Sequence, residues 1–101
     1  MQRTLNKDLA NEIGKNVSVA GWVDVRRDHG KLIFLDIRDR SGSVQVVVTP
    51  KAADALAIAE ELRAQWVVEI AGEVKRRPDA AKGEGPLGGI ELSAQSIKVL
   101  S

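Results

Sequence analysis

Phe34, Gln45, Arg26 and Arg27 carry side chains suited to one kind of chemistry, the gripping of unpaired nucleobases. A phenyl ring offers a π-face to an unstacked base, a carboxamide holds a donor and an acceptor side by side, and guanidinium groups take phosphate oxygens. Such groups act together only where a fold shows them on one surface, and period-two alternation supplies that surface. In Leu32-Ile33-Phe34-Leu35-Asp36-Ile37-Arg38, the residues Ile33, Leu35 and Ile37 share a core face, while Phe34 falls on the other face with Asp36 and Arg38. In Ser43-Val44-Gln45-Val46-Val47-Val48, the same parity buries Val44, Val46 and Val48 and turns Gln45 outward beside Ser43 and Val47. The connection Asp39-Arg40-Ser41-Gly42 has turn composition and hairpin length, so the two strands are expected to be antiparallel neighbours with one continuous outer face.

The elements that must position this face follow from the rest of the chain. Alternating or β-branched runs predict strands over 17–26, 32–38, 44–48, 66–75 and 90–99. One helix interrupts them: Thr49 offers an N-cap, Pro50 suits the first helical position, and Ala52, Ala55, Leu56, Ala59 and Leu62 recur at helical spacing up to Arg63. A short helix over 6–12, ending at Gly14, is a further candidate. Three strands, a helix and two strands are the order of the all-β, five-stranded Greek-key OB barrel, which binds oligonucleotides on strands two and three and on its 1–2 and 4–5 loops. Two basic clusters fall where those loops are expected. Arg26, Arg27 and Lys31 flank the first, with Arg38 and Arg40 near in sequence, and Lys75, Arg76, Arg77 and Lys82 precede the second. Either cluster alone could be solvated loop charge. The Gly-rich segment Lys82-Gly83-Glu84-Gly85-Pro86-Leu87-Gly88-Gly89 is then the 4–5 loop and not a linker, and residues 1–101 form one domain.

Composition narrows the function classes. With 101 residues and 44% hydrophobic content the chain can bury a small core, and a net charge of +1 argues against a bulk polyanion coat. The absence of cysteine removes disulfides, thiolate zinc sites and a cysteine nucleophile, and permits a reducing cytoplasm. No signal-length apolar run opens the chain, and no segment reaches the roughly 20 apolar residues of a membrane span, so a soluble, cytoplasmic protein without membrane partners is expected. His29, the single histidine, makes no metal site by itself and reads as a loop-tip residue facing ligand or solvent. Ser41, Ser43, Ser93 and Ser96 lack a base at a recognisable spacing, and Asp36, Asp39 and Glu91 suit structural roles, so no catalysis is expected of this chain. The Gly-rich segment is not followed by the lysine and helix of a phosphate-cradling loop. Phe34 could face a partner domain or stack on bases, and its position beside Gln45 and the arginines favours stacking. Trp66 shares parity with Val68, Ile70 and Val74 and reads as core, whereas Trp22 shares parity with Ala20 and Asp24 and suits edge packing.

Across nearly its whole length the chain resembles the N-terminal anticodon-binding domain of bacterial-type aspartyl-tRNA synthetases. The residues that carry the resemblance are Gly21-Trp22-Val23, Arg26-Arg27-Asp28, Gly30-Lys31-Leu32-Ile33-Phe34, Asp36-Ile37-Arg38-Asp39-Arg40, Gly42, Val44-Gln45-Val46-Val47, Ala53-Asp54-Ala55, Glu61-Leu62-Arg63, Gly72 and Gly89-Ile90-Glu91-Leu92. Lysyl- and asparaginyl-tRNA synthetases share the domain, but Leu35-Asp36-Ile37-Arg38-Asp39-Arg40 followed by Val44-Gln45-Val46-Val47 looks most like the aspartyl group.

The resemblance implies a reader of the aspartate anticodon GUC, with the anticodon loop of aspartate tRNA as partner. Phe34 would stack on the middle base, Gln45 would pair with its edge, and Glu91 would accept from the N–H groups of the first-position guanine. Arg27, with Arg26, would hold the backbone or the third base, and Lys31 and Arg76 would add cations to the RNA-binding surface. His29, where the discriminating members carry leucine, looks like the subtype that also serves asparagine tRNA, whose anticodon is GUU. The segment Ala80-Ala81-Lys82-Gly83-Glu84-Gly85 departs from the family in lacking asparagines. The resemblance places ATP, magnesium and the ligase reaction in a separate catalytic domain whose motifs this chain lacks, so no cofactor is expected here. The chain's stop at Ser101 reads as a cut within a longer protein. A monomer is expected of the segment and a homodimer of the full-length enzyme. A sequence-indifferent single-strand binder and a protein-binding scaffold on the same fold are the other readings.

Overall fold

The computed structural model describes residues 3–78 and 87–101, so most of the predicted 4–5 loop, Lys82 included, lies outside the described residues. Five strands close into one barrel: β1 (Asn16–His29), β2 (Leu32–Asp39), β3 (Gly42–Val48), β4 (Val67–Arg76) and β5 (Ile90–Val99). They are ordered β1-β2-β3-β5-β4, with β4 pairing back onto β1. Every pairing is antiparallel except β3 with β5, which is the OB-fold arrangement expected from the element order. The core faces of the strands meet inside. Val19, Val23, Leu35, Ile37, Val46, Val48, Val68, Ile70 and Leu92 are fully shielded there, each side chain adding about 1.5–3 kcal/mol of apolar burial.

The helix α1 (Ala53–Ala59) connects β3 to β4 and lays Ala55 and Ala59 into the core, followed by Leu62. It starts later than Thr49-Pro50 suggested. The Ala52 N–H donates to the Thr49 carbonyl at 3.0 Å and the Lys51 N–H to the Thr49 hydroxyl at 3.3 Å. Pro50 therefore occupies the second position of a turn, where its fixed φ serves as well as at a helix start. Before β1, residues Asn6–Asn11 form a 3-10 helix that adds Leu9 to the core. Trp66 is a second departure: it precedes β4, next to Gln65 at a φ of 74°, and is 36% exposed. Its strand parity fails because the chain bends before the strand begins. Trp22 is half-buried, opposite Arg38 on one side and Val67 on the other.

One irregularity in β1 matters for the site. Val23 pairs with Ile37 and Val25 with Asp36, which leaves Asp24 as an extra residue in a β-bulge. Just before it, Gly21 lies so close to β2 that an added Cβ would collide with the Arg38 carbonyl. The hairpin joining β2 to β3 is pinned at Asp39. Its Oδ1 accepts from the Ser41 hydroxyl at 2.6 Å, the Ser41 N–H at 2.7 Å and the Gly42 N–H at 3.1 Å. Its Oδ2 accepts from the Asn6 N–H at 2.9 Å. The buried Asn6 amide donates in turn to the Ile37 and Gly42 carbonyls, both at 3.0 Å, tying the N-terminal 3-10 helix to the hairpin.

Two predictions follow from this packing. Gly21→Ala should lower folding stability by about 1–3 kcal/mol in urea titration, the usual cost of forcing in extra atoms. Burial raises the Asp39 carboxyl's pKa, but the hydrogen bonds from Ser41, Asn6 and Gly42 outweigh it and hold the group below its ordinary value. Its stabilisation is therefore present above the unfolded pKa of about 3.9 and is lost as pH falls through the depressed folded value. Asp39→Ala should cost about 1.5–3 kcal/mol at pH 7, the range for hydrogen bonds to a charged group. The gap to the unmodified protein should narrow below about pH 4.

Candidate nucleic-acid interface

The outer face of β1, β2, β3 and β5 brings five of the sequence-predicted residues together. Phe34 sits opposite Arg27 on β1 and Val47 on β3, Asp36 sits opposite Gln45, and Gln45 is in turn the neighbour of Glu91 on β5. Arg27, His29, Leu32, Phe34, Gln45, Val47, Arg77 and Glu91 line one shallow groove of about 420 Å³. The bulge makes this possible. Before Asp24, odd-numbered residues such as Val19 and Val23 point into the core. After it, the phase reverses, and Arg27 and His29 reach the face that carries Phe34. The His29 and Phe34 rings stand perpendicular, with centroids 5.5 Å apart and planes at 90°, a T-shaped pair that walls one side of the groove.

Arg27 is the most constrained charge in the groove. Its Nη1 and Nη2 donate to the two Asp36 carboxylate oxygens at 3.0 and 3.1 Å, and Nη2 also donates to Gln45 Oε1 at 3.3 Å. The hydrogen bond to Asp36 is the main reason that the Arg27 pKa is raised further above its already high ordinary value, against a smaller opposing effect of burial. The groove thus offers a planar apolar wall, a positioned amide, a carboxylate at Glu91 and two guanidinium groups.

Three predicted residues lie elsewhere. Arg26, opposite Leu35, points to the end of α1, where Nη1 donates to the Glu60 carbonyl at 2.6 Å and the Leu62 carbonyl at 3.1 Å. Asp28 holds it in a bidentate pair at 2.9 Å for both bonds, which raises the Arg26 pKa and lowers that of Asp28. Lys31 stands in the two-residue turn after β1 and borders a different cavity of about 440 Å³, with Asp28, Pro50, Leu56 and Glu60. Arg76 ends β4 opposite Ile90, while Arg77, one residue on, enters the groove. β1 runs to His29, so the first basic cluster is strand as far as that residue and turn only at Lys31. Sequence reasoning put Val47 on the outer face and Arg77 in the second basic cluster, but singled out neither, nor Leu32, as a groove residue. Parity counted from the buried Val74 would have put Arg77, and not Arg76, on the outer side with Glu91. Among the described residues, Arg77 Nε is buried without a hydrogen-bond partner, and no group of three His, Cys, Asp or Glu side chains could hold a metal.

Residues 17–100 match the family of OB-fold nucleic acid binding domains that includes tRNA anticodon-binding modules. The chain belongs to this anticodon-binding OB family. The curated aspartate–tRNA(Asp/Asn) ligase of Rubrobacter xylanophilus is 47% identical over 93 residues, covering 91% of this chain and 16% of the relative. The chain spans about one sixth of the length of the curated relatives it matches. Among solved structures, the asparaginyl-tRNA synthetase of Pyrococcus horikoshii with asparaginyl-adenylate superposes with a TM-score of 0.82 at 31% identity, over 100% of this chain and 23% of that one. An OBody bound to hen egg-white lysozyme superposes with a TM-score of 0.84 at 24% identity, over 100% of this chain and 94% of that one, and shows the fold alone. No helix among the described residues of this OB domain is long and apolar enough to cross a membrane.

Within the domain, Arg26 ties β1 to the trailing end of α1, where unpaired carbonyls concentrate negative potential. Replacing it by methionine, which keeps the apolar stem, should cost about 1–2 kcal/mol of stability in urea unfolding.

Proposed function

We propose that the chain reads the anticodon loop of aspartate tRNA, and of asparagine tRNA, as the anticodon module of an aspartate–tRNA ligase. One observation carries the reading: Phe34, Gln45 and Glu91 lie side by side on one open face, on registers that join β2, β3 and β5. A base laid on Phe34 has its edge beside the Gln45 amide, and a neighbouring base meets the Glu91 carboxylate. Uracil shows two carbonyl acceptors flanking one N–H, which a carboxamide can match with its donor and acceptor. A carboxylate suits the two N–H donors on the Watson–Crick edge of guanine, and leaves an acceptor-rich edge unpaired. His29, at the rim beside Phe34, is the residue nearest in character to a judge of the third base. Tolerance there is supported by the curated relatives, which are named for both the aspartate and the asparagine tRNA.

Titration with anticodon stem-loops tests this reading. GUC and GUU loops should bind within a few-fold of each other, and a changed middle base should bind clearly worse; a strong preference for GUC over GUU would remove the tolerance. Phe34→Ala should weaken binding by about 1–3 kcal/mol, the range for one base–aromatic stack, and an unchanged affinity would take Phe34 out of the site. If only two or three phosphates meet cations, the salt slope should be shallow, roughly 1.4–2.1 in magnitude for a single strand. A steep slope without sequence preference would identify an indifferent single-strand binder instead.

A further inference from the structure

We propose that Asp36 sets the base selectivity of the groove without touching the base, by holding Arg27 so that the Gln45 carboxamide keeps one of its two orientations. The inference rests on the reading of Gln45 as the partner of the middle base. A carboxamide turned by 180° exchanges its donor and acceptor. A freely turning Gln45 could therefore satisfy uracil, with its acceptor beside an N–H, and equally cytosine, with its amino group beside a ring acceptor. Selectivity between the two requires that the flip be forbidden.

The network around Asp36 forbids it. The carboxylate takes both Nη groups of Arg27, at 3.0 and 3.1 Å, which fixes the plane and reach of the guanidinium. Arg27 Nη2 then donates to Gln45 Oε1 at 3.3 Å. A guanidinium has five donors and no acceptor, so an amide beside it can turn only its oxygen that way. The reversed amide would set its NH2 against N–H groups and lose the bond. With Oε1 held toward Arg27, Nε2 is left to donate into the groove, and the second lone pair of Oε1 remains for an N–H. That order of donor and acceptor fits uracil. Cytosine in the same pose meets donor against donor and acceptor against acceptor. The Arg27 side chain is 39% exposed, and among the described residues Asp36 is the carboxylate that pairs with it. Asp36 is thus a positioning residue. It stands directly across from Gln45 on the neighbouring strand, close enough for one arginine to bridge both.

The test compares the 101-residue chain with its Asp36→Ala and Asp36→Glu variants, each checked for an unaltered backbone amide spectrum. Binding is measured to stem-loops with GUC and GCC anticodons, and the side-chain NMR signals of Gln45 and Arg27 are recorded without RNA. The unmodified chain should prefer GUC by roughly 10- to 100-fold, the discrimination typical of one bidentate base contact. Asp36→Ala should lose most of that preference, and its Gln45 amide signals should move and sharpen as the side chain is freed. Asp36→Glu, which restores a carboxylate, should regain part of both. If Asp36→Ala weakens both loops by the same factor and leaves the ratio intact, the selectivity role is overturned. Unchanged Gln45 and Arg27 signals in Asp36→Ala would overturn the clamp itself, whatever the loops do. Equal binding of both loops by the unmodified chain would remove the middle-base reading, and the selectivity role with it, even with the clamp visible in the RNA-free spectra.

Discussion

The single extra residue in β1 governs which side chains that strand adds to the binding face. A strand without the bulge would carry the core parity of Val19 and Val23 straight on, turning Arg27 and His29 inward beneath the sheet and Arg26 outward beside Phe34. Burying a guanidinium in an apolar barrel costs several kcal/mol unless it is fully paired, so that register is closed to this sequence. With Asp24 left unpaired, each arginine lands where it has acceptors. Asp24 itself stays within 3.6 Å of Arg38, a surface pair next to the kink. The close approach of Gly21 to Arg38 just upstream keeps β1 tight against β2 up to the point where the phase changes.

Two adjacent arginines consequently do opposite jobs. Arg26 serves the fold, joining β1 to the end of α1 through the Glu60 and Leu62 carbonyls, with Asp28 holding its fork. Arg27 serves the groove, spanning from Asp36 to Gln45. Neither pair is a strong source of stability, since both stand partly in solvent and such pairs contribute about 1 kcal/mol or less. What they supply is position. The aliphatic interior supplies the stability, and it does so with residues of opposite parity to the groove, so the outer face of β2 and β3 can vary with little cost to folding.

The sequence made the β2–β3 hairpin legible almost completely, because both strands run without interruption and the turn at Arg40-Ser41 preserves their register. Phe34 and Gln45 are outward for the same reason that Ile33, Leu35, Val44 and Val46 are inward. Val47 is outward yet shielded, because Phe34 lies directly across from it. Parity failed where the backbone changes phase. β1 past Arg26 read as a loop because a run of charged residues shows no alternation. Trp66 read as core because nothing in the letters marks the bend at Gln65. Thr49-Pro50 satisfies the rules for a helix start and for a turn equally well, and only the bonds from Lys51 and Ala52 back to Thr49 decide between them. Glu91 came from the family resemblance, whereas Arg77 was within reach of parity counted along β4 from Val74. It was overlooked because three basic residues in a row invite treatment as one patch.

The groove's openness bears on how recognition can work. Among the described residues, the face carries a half-exposed arginine, a second arginine with a buried nitrogen lacking a partner, and one aromatic wall, which is little of the charge that drives indifferent single-strand binding. On the proposed reading, affinity from such a surface would be modest and would come from stacking on Phe34 and a few polar contacts. Selectivity has a different source. A polar group pinned by its neighbours cannot rotate to suit the wrong base, so a mismatch leaves it unpaired at a cost of about 1–3 kcal/mol. The bidentate pair between Arg27 and Asp36 and its reach to Gln45 turn a flexible amide into such a group. On the proposed reading, the groove would separate bases by the penalty for the wrong one, and it would need no deep pocket to do so.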